Sequence, residues 1–427
     1  MTLSWTQIAR LGLVQMALGA IVVLTTSTLN RLMVVEFALP AVLPGALVAL
    51  HYGIQMSRPH WGFTSDTGGK RTRWIVGGML ALALGGFLAA YAVTLFQGGF
   101  WPGLTLSILA YALIGLGVGA SGTSLLALLA TATAPHRRAA AATITWLMMI
   151  FGIALTAGLA GSFLDPYSPA RLLTVVAVVV TGAALLTLLA VAGIEAKVTS
   201  EREPDHTPFL EGLAEVWAER RTRNFTLFVF LSMNAYFMQE LILEPFAGLV
   251  WGFTPGQSTS LSGAQNGGVF IGMLTVGTMA TGLKIGVLRT WVFAGCIGSA
   301  ASLAAIATAG LTPFGIGLTP LVVMLGFFNG MFAVAAIGAM MALAAEGRGQ
   351  REGTRMGLWG AAQAIAAGFG GLTGAAAVDL MRGFQSDAPA FAVVFWAEAA
   401  LFLAAALMAL HIMDTHRSQT AAMVPGE

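Results

Sequence analysis

The sequence predicts an all-α membrane protein with twelve transmembrane helices in two pseudo-symmetric six-helix bundles. Three observations predict this fold: an apolar composition, twelve long apolar segments and an internal repeat. Of the 427 residues, 57% are hydrophobic and 9% are charged, whereas a soluble domain carries about 25% charged residues. Because so few charges cannot cover a water-facing surface, membrane lipid is the expected partner of most of the chain. The net charge of +2 gives no indication of a nucleic-acid partner.

Twelve apolar segments are long enough to cross a bilayer, which takes about 20 residues of α-helix. The first is too long for the apolar core of a signal peptide, and no clear cleavage site follows it. We therefore interpret it as a retained helix. The segments are 11–36, 38–57, 74–97, 103–131, 139–164, 171–194, 224–251, 260–283, 291–311, 317–345, 354–381 and 388–412.

The spacing of the segments divides the chain into four regions. Residues 1–194 form a first six-helix bundle, 195–223 a polar linker, 224–412 a second bundle and 413–427 a tail. If both ends lie in the cytoplasm, 18 of the 21 lysines and arginines fall on the cytoplasmic side. Positive residues are enriched in cytoplasmic loops. We therefore expect a bacterial inner-membrane protein with cytoplasmic N- and C-termini.

The linker contains a pattern that is typical of an amphipathic helix. Thr207 can cap a helix that begins at Pro208, and Phe209, Leu213 and Trp217 recur at helical spacing, opposite three glutamates. One interpretation is a helix that lies at the cytoplasmic membrane surface. A solvated linker with some helical content is an equally good interpretation.

The two predicted bundles share sequence patterns. Asn30 and Glu36 in the first span have the same spacing as Asn234 and Glu240 in the seventh, and a proline follows each pair. A second set recurs at one constant offset: Gly119, Arg137 and Thr143 match Gly330, Arg348 and Thr354. Such duplication around a long central loop is typical of two-bundle transporter folds. We expect the asparagines and glutamates of the first set to line the cavity between the bundles.

His51 is the only histidine well inside a predicted span. Polar groups at membrane depth are costly unless they are paired or hydrated, so they are candidate site residues. A neutral imidazole is a common metal ligand and could hold the central Mg²⁺ of a pigment. It could equally form a hydrogen bond between helices, and both interpretations stay open.

Glu240 and Glu244 lie four residues apart, on one face of the seventh span. Two carboxylates in a poor dielectric do not easily ionise together. Arg31 could neutralise them across the cavity, although its spacing to Glu36 is wrong for a pair within one regular helix. This group predicts either a polar cavity site for a pigment head group, a proton or a partner, or a buried network that closes the outer gate.

The loop after the second span has a glycine, an aspartate four residues on, a second glycine and two basic residues. A tight turn needs the glycines, and the carboxylate can meet a helix N-terminus. These residues are Gly62, Asp66, Gly69, Lys70 and Arg71. The pattern resembles the cytoplasmic loop motif of the major facilitator superfamily, although Thr67 replaces its usual basic residue. The resemblance implies the major facilitator fold and a gating role for this loop.

The same resemblance implies a peripheral twelfth helix, and Glu398 lies near the middle of that span. Its carboxylate then contacts another protein or a pigment, or it forms an inward hydrogen bond with Gln363 or Asn329. We favour the inward hydrogen bond.

Longer stretches resemble the PucC family, a branch of this superfamily found in phototrophic bacteria. They read NRLMVVEFALPAVLPGALVALHYGIQMSRPHWGFTSDTGGKRTRWIVGG in the first half, and ELILEPFAGLVWG and LSGAQNGG in the second. The compact loop at 62–73 is similar to the subgroup associated with bacteriochlorophyll synthesis. The resemblance implies an assembly factor for light-harvesting complexes in the intracytoplasmic membrane. It implies bacteriochlorophyll as a bound client rather than a firm cofactor, and light-harvesting polypeptides and bacteriochlorophyll synthase as partners.

Two other functions are compatible with a membrane protein of this kind. A proton-coupled transporter of a small hydrophobic or anionic solute is the alternative, with coupling through the carboxylates of the seventh span. An enzyme that attaches the pigment tail would need clustered aspartates to hold Mg²⁺ around a diphosphate. No two aspartates lie within seven residues of each other. We therefore predict a non-catalytic protein without a metal site.

Overall fold

The computed structural model describes residues 3–58, 61, 70–134, 137–195, 217–283, 285–312, 315–346 and 352–413. In these ranges the chain forms twelve helices of 13 residues or more, which we number α1 to α12. The six helices of the first half are α1 (Trp5–Glu36), α2 (Val42–Ile54), α3 (Arg71–Leu95), α4 (Phe100–Ala132), α5 (Arg138–Leu164) and α6 (Pro169–Val191). The six helices of the second half are α7 (Arg220–Trp251), α8 (Pro255–Val276), α9 (Leu288–Leu311), α10 (Leu318–Glu346), α11 (Glu352–Arg382) and α12 (Asp387–Met413).

Ten of the helices in the described ranges are long and apolar enough to cross a membrane by themselves. The exceptions are α2, with 13 residues, and α8, whose sequence is rich in glycine and in polar residues. A 3₁₀ turn at Gln55–Ser57 extends α2, and a π-helical turn at Gly277–Gly282 extends α8. The predicted twelve-helix count is confirmed. The predicted linker helix from Pro208 falls mostly on residues 196–216, outside the described residues.

Each half has its own apolar core. Buried residues of α1 to α6 form one cluster, into which Leu241 of α7 also packs, and buried residues of α7 to α12 form the other. Within the halves, α3 packs along α4 and α9 along α10. These two pairs occupy equivalent positions of the repeat.

The most extensive contacts between the halves are made by two helix pairs, α2 with α11 and α5 with α8. The pairs are also equivalent under the repeat, because α2 corresponds to α8 and α11 to α5. Glycines bring the second pair close together: a Cβ atom on Gly263 of α8 would lie 2.6 Å from the backbone nitrogen of Gly158 of α5. Small residues allow such close approach between membrane helices.

The helices run from one end of the molecule to the other, so the connections lie at two ends. The Arg71 end contains the beginning of α1 and α3 and the end of α4, since Leu3 donates to the carbonyl of Ala132 and Arg71 donates to that of Ala127. The Asp165 end contains the end of α5 and the beginning of α8. The positive-inside pattern predicts that the Arg71 end is cytoplasmic.

Candidate functional site

The first helix, α1, departs from regular geometry where its polar residues lie. Two π-helical turns interrupt it, Leu24–Thr28 and Leu32–Glu36. The hydroxyl groups of Thr25 and Thr26 donate to the carbonyl of Val22 at 2.7 and 3.2 Å. Such bonds from a side chain to its own helix compete with regular backbone pairing. π-helical turns occur frequently at functional sites.

Arg31 forms an ion pair with Glu36 inside α1, which corrects the expectation that their spacing prevents pairing. In a π-helical turn, residues five apart lie on the same face, whereas a regular helix places residues three and four apart there. The Arg31 side chain is 2% exposed and that of Glu36 is 36% exposed. A second guanidinium nitrogen donates to the carbonyl of Phe253, between α7 and α8, at 2.7 Å. Arg31 therefore forms polar contacts with both halves.

Other polar groups of α1 also contact the second half. The side-chain amide of Asn30 donates to the carbonyl of Leu241 in α7 at 2.7 Å, and the hydroxyl groups of Thr28 and Thr259 lie 3.0 Å apart. Both contacts are buried. The polar stretch of α1 thus lies on the boundary between the halves.

The structure places both glutamates of α7 at the same boundary. Glu244 is 2% exposed, and its polar neighbours are Arg31 of α1 and two serines of α8, Ser258 and Ser262. Among the described residues, no group donates a hydrogen bond to its carboxyl oxygens. Glu240, one helical turn away, faces Thr26 of α1.

Asn234 lies on α7 one and a half turns before Glu240, but it contacts the second half rather than α1. Its side-chain nitrogen is 3.8 Å from the sulfur of Met238, and its backbone carbonyl lies against Gly370 of α11. The repeat therefore does not give Asn30 and Asn234 equivalent contacts. Asn30, Arg31, Glu36, Glu240 and Glu244 form what we call the boundary cluster.

His51 of α2 is 1% exposed, and its polar neighbours among the described residues are Gln55 and Arg58 rather than members of the boundary cluster. Its Nε2 atom contacts the side-chain nitrogen of Gln55, whose oxygen in turn accepts from Arg58. Its Nδ1 atom is buried with no hydrogen-bond partner among the described residues. The neighbouring Tyr52 packs against Phe237 of α7, with ring centroids 6.0 Å apart. A ligand on Nε2 would have to displace Gln55, and the role of His51 as a pigment ligand stays a prediction.

Glu398 lies in the core of the second half, and its side chain is 0% exposed. The expected hydrogen bond to Gln363 or Asn329 is wrong: no described residue donates to either carboxyl oxygen. The side-chain nitrogen of Gln363 lies 3.6 Å from the sulfur of Met233. Asn329 accepts from Ser299 at 2.7 Å, and its own side-chain nitrogen has no partner among the described residues. Glu398 is therefore separate from the boundary cluster.

Three carboxylates that were not predicted site residues bind the first backbone N–H groups of distant helices. Asp165 accepts from Gly256 at the start of α8, Asp379 from Val42 at the start of α2, and Glu195 from Arg71 at the start of α3. Unpaired N–H groups and the helix dipole make a helix N-terminus a favourable place for an anion. For α2 and α3 there is a local sign that a distant acceptor is needed, because the residue before each helix does not cap it with its own side chain.

Only two residues of the predicted gating motif lie among the described residues. Gly62, Asp66 and Gly69 lie outside the described residues. Lys70 is exposed, whereas Arg71 is 4% exposed and donates to the carbonyl of Ala127 at 3.0 Å.

Comparison with known families decides the classification. A family model described as PUCC protein matches residues 28–417. The chain belongs to the PucC family. The chain is 67% identical to the bacteriochlorophyll synthase 44.5 kDa chain of Rhodobacter capsulatus, over 100% of its own length and 99% of the relative. It is 29% identical to Protein PucC of Cereibacter sphaeroides, over 85% of this chain and 81% of that protein.

Solved structures show that this PucC-family chain has the major facilitator fold. The nucleoside transporter NupG superimposes with a TM-score of 0.73 at 14% identity, covering 96% of this chain and 98% of that one. A bacterial homologue of the lysosomal transporter Spinster, in an inward-facing and occupied conformation, gives 0.70 at 12% identity, covering 97% of both chains. The predicted fold and the predicted family are therefore confirmed, and the transporters' substrates do not transfer at this identity.

Proposed function

We propose that this protein is a non-catalytic membrane factor that binds or delivers bacteriochlorophyll during assembly of the photosynthetic antenna. The observation that carries this proposal is the 67% identity over the whole chain with a protein named for bacteriochlorophyll synthesis. A second relative, at 29% identity, carries the PucC name. A name of this kind associates a chain with a pathway and does not by itself assign a catalytic step.

The arrangement of the boundary cluster supports a site for a polar head group inside the bilayer. Glu244 and Arg31 provide an acceptor and a donor at membrane depth, and Ser258 and Ser262 add hydroxyl groups. Polar groups in such a position are rare and are usually functional. A pigment with a long apolar tail is insoluble in water, so its transfer takes place within the bilayer, through openings between helices.

We also propose an orientation, a membrane and partners for the protein. The Arg71 end faces the cytoplasm, the membrane is the bacterial inner or intracytoplasmic membrane, and the partners are light-harvesting polypeptides and bacteriochlorophyll synthase. These assignments rest on the distribution of lysine and arginine and on the names of the relatives.

Purification in mild detergent from phototrophic cells tests the pigment-binding part. We expect bacteriochlorophyll to co-purify with the wild-type chain, and we expect His51→Ala to lower its amount or shift its absorbance. His411→Ala is the matched control, because His411 is exposed at the end of α12. Colourless wild-type protein, together with intact antenna in cells that lack the chain, would contradict the proposal.

One observation favours a proton-coupled transporter as the second candidate. Glu240 and Glu244 lie at the boundary between two halves whose fold is shared with transporters. If this candidate is correct, Glu240→Gln abolishes proton-dependent solute uptake in vesicles, whereas Glu398→Gln, in the core of the second half, does not. Uptake that is absent from wild-type vesicles, or unchanged by Glu240→Gln, would exclude it.

A further inference from the structure

A cavity of about 490 Å³ lies on the first half, outside the boundary cluster. It lies between α3 and α4, next to Trp61, and begins at the Arg71 end, since Arg73 is the third residue of α3. The cavity opens to the side, because Leu116, which lines it, is 39% exposed. Small-molecule sites have volumes of about 300 to 1,000 Å³, so its size suits a ligand.

The walls of the cavity differ in chemistry. Trp61 and Trp74 form an aromatic pair with ring centroids 5.7 Å apart. Gly77 has no side chain, and a Cβ atom built there would meet nothing within 4 Å. Arg73 is exposed at the rim. The remaining lining residues are small or aliphatic: Gly78, Ala81, Leu113, Leu116 and Ala120.

We propose that this lateral groove binds the flat ring system of a tetrapyrrole pigment, with its tail in the bilayer. The ring packs against the tryptophan pair and the open backbone of Gly77, and Arg73 donates hydrogen bonds to a carbonyl or carboxylate oxygen at the ring edge. The inference rests on the proposed function, which supplies the pigment class, and it adds a specific site for that pigment.

Two features favour a flat ring over a phospholipid. Aromatic side chains interact with other rings in offset or edge-to-face geometry at centroid distances of about 4.5 to 7 Å. A phospholipid can bind through the cation at the rim and an apolar surface. An aromatic pair or an exposed glycine backbone therefore adds little to its affinity. Among the described lining residues, none has an imidazole, thiol or carboxylate that could ligate the central metal.

The test is a titration of purified protein in detergent, read by quenching of tryptophan fluorescence. The probes are bacteriochlorophyll, its magnesium-free form and an anionic phospholipid. Gly77→Leu fills the groove and is expected to weaken binding of both pigments by about tenfold or more, equivalent to about 1.4 kcal/mol. Gly182→Leu is the matched control, since Gly182 is an exposed glycine of α6 whose added Cβ also meets nothing within 4 Å.

A second variant tests the rim. Arg73→Gln is expected to weaken pigment binding, whereas Arg223→Gln, an exposed cation of α7 outside the lining, is expected to leave it unchanged. Equal pigment affinities of Gly77→Leu, Gly182→Leu and the wild type would overturn the groove while leaving pigment binding elsewhere intact. The groove is also overturned if only phospholipid binding responds to Gly77→Leu. Absence of pigment binding by the wild type would instead contradict the proposed function itself.

Discussion

Asp165 and Gly256 join the two halves of the molecule: the backbone N–H of Gly256 donates to the carboxylate of Asp165 at 3.1 Å. The same carboxylate accepts from the hydroxyl group of Thr254. In the equivalent position of the repeat, Asp379 of α11 accepts from the backbone of Val42 at 2.7 Å. Each half therefore supplies one carboxylate that binds the N-terminus of a helix in the other half, and both lie at the Asp165 end.

Loss of charge at Asp165 is expected to loosen this end. Asp165→Asn keeps one acceptor oxygen but loses the ionic character of the bond, and hydrogen bonds to charged groups are worth about 1.5 to 3 kcal/mol. With spin labels on cysteines at Ala170 and Ser386, one in each half, in a Cys296→Ala background, we expect a longer or broader distance distribution. Asp387→Asn is the control, because Asp387 pairs with Arg382 within the second half. Identical distributions for the two variants would contradict the role of Asp165.

The Arg31–Glu36 pair is expected to be energetically coupled more strongly than an exposed pair. A double-mutant cycle with Arg31→Gln and Glu36→Gln, read from unfolding free energies in mild detergent, should give a coupling of about 1 to 3 kcal/mol. The Arg382–Asp387 pair has the same five-residue spacing, but its side chains are 30% and 38% exposed. We expect a coupling below about 1 kcal/mol there. Equal values for the two cycles would show that burial of Arg31 adds nothing.

Close contact between α5 and α8 is expected to make Gly263 intolerant of a side chain. A Cβ atom there would lie 2.6 Å from the backbone nitrogen of Gly158, and backbone cannot move aside as a flexible side chain does. Gly263→Ala should lower the unfolding free energy by about 1 to 3 kcal/mol. Gly267, one turn further along α8, has nothing within 4 Å of an added Cβ. Gly267→Ala should be neutral or stabilising by up to about 1 kcal/mol, the helix preference of alanine over glycine. Equal changes in unfolding free energy for Gly263→Ala and Gly267→Ala would contradict this prediction.

Glu398 is expected to lower the free energy of unfolding. Among the described residues, no donor reaches its fully buried carboxyl group, so no hydrogen bond offsets the desolvation penalty of that group. Glu398→Met keeps a similar length and should raise the unfolding free energy by about 1 kcal/mol or more. Thermal unfolding in detergent measures this, with Glu36→Met as a control that should not stabilise. A lower midpoint for Glu398→Met would indicate a stabilising partner.

The apolar runs were sufficient to predict the fold, because a helix that spans hydrocarbon must carry its own apolar surface. Prediction was weakest for α2 and α8, whose surfaces are covered by α11, α5 and α10 rather than by lipid. A helix that packs against other helices can be short and can contain glycine and serine. A helix that faces lipid needs a long apolar surface. The bounds of α8 differ most from the expectation: it begins at Pro255 rather than at 260, and a π-helical turn replaces its last predicted residues.

The site was predicted less well than the fold. Arg31 and Glu36 were assigned to different partners because the spacing argument assumed a regular helix, and the π-helical turn at Leu32–Glu36 has no obvious sequence signal. Asp165 and Asp379 act on helices 91 and 337 residues away in sequence. Such contacts follow from tertiary packing, which spacing along one helix does not encode.

Near-infrared absorbance of membranes from phototrophic cells that lack the chain shows whether this protein supplies pigment to the antenna. We expect antenna absorbance to fall when the chain is deleted. We expect recovery on expression of the wild type or of Gly182→Leu, and poor recovery with Gly77→Leu. Antenna absorbance that is unchanged by the deletion would show that the antenna does not depend on pigment from this protein.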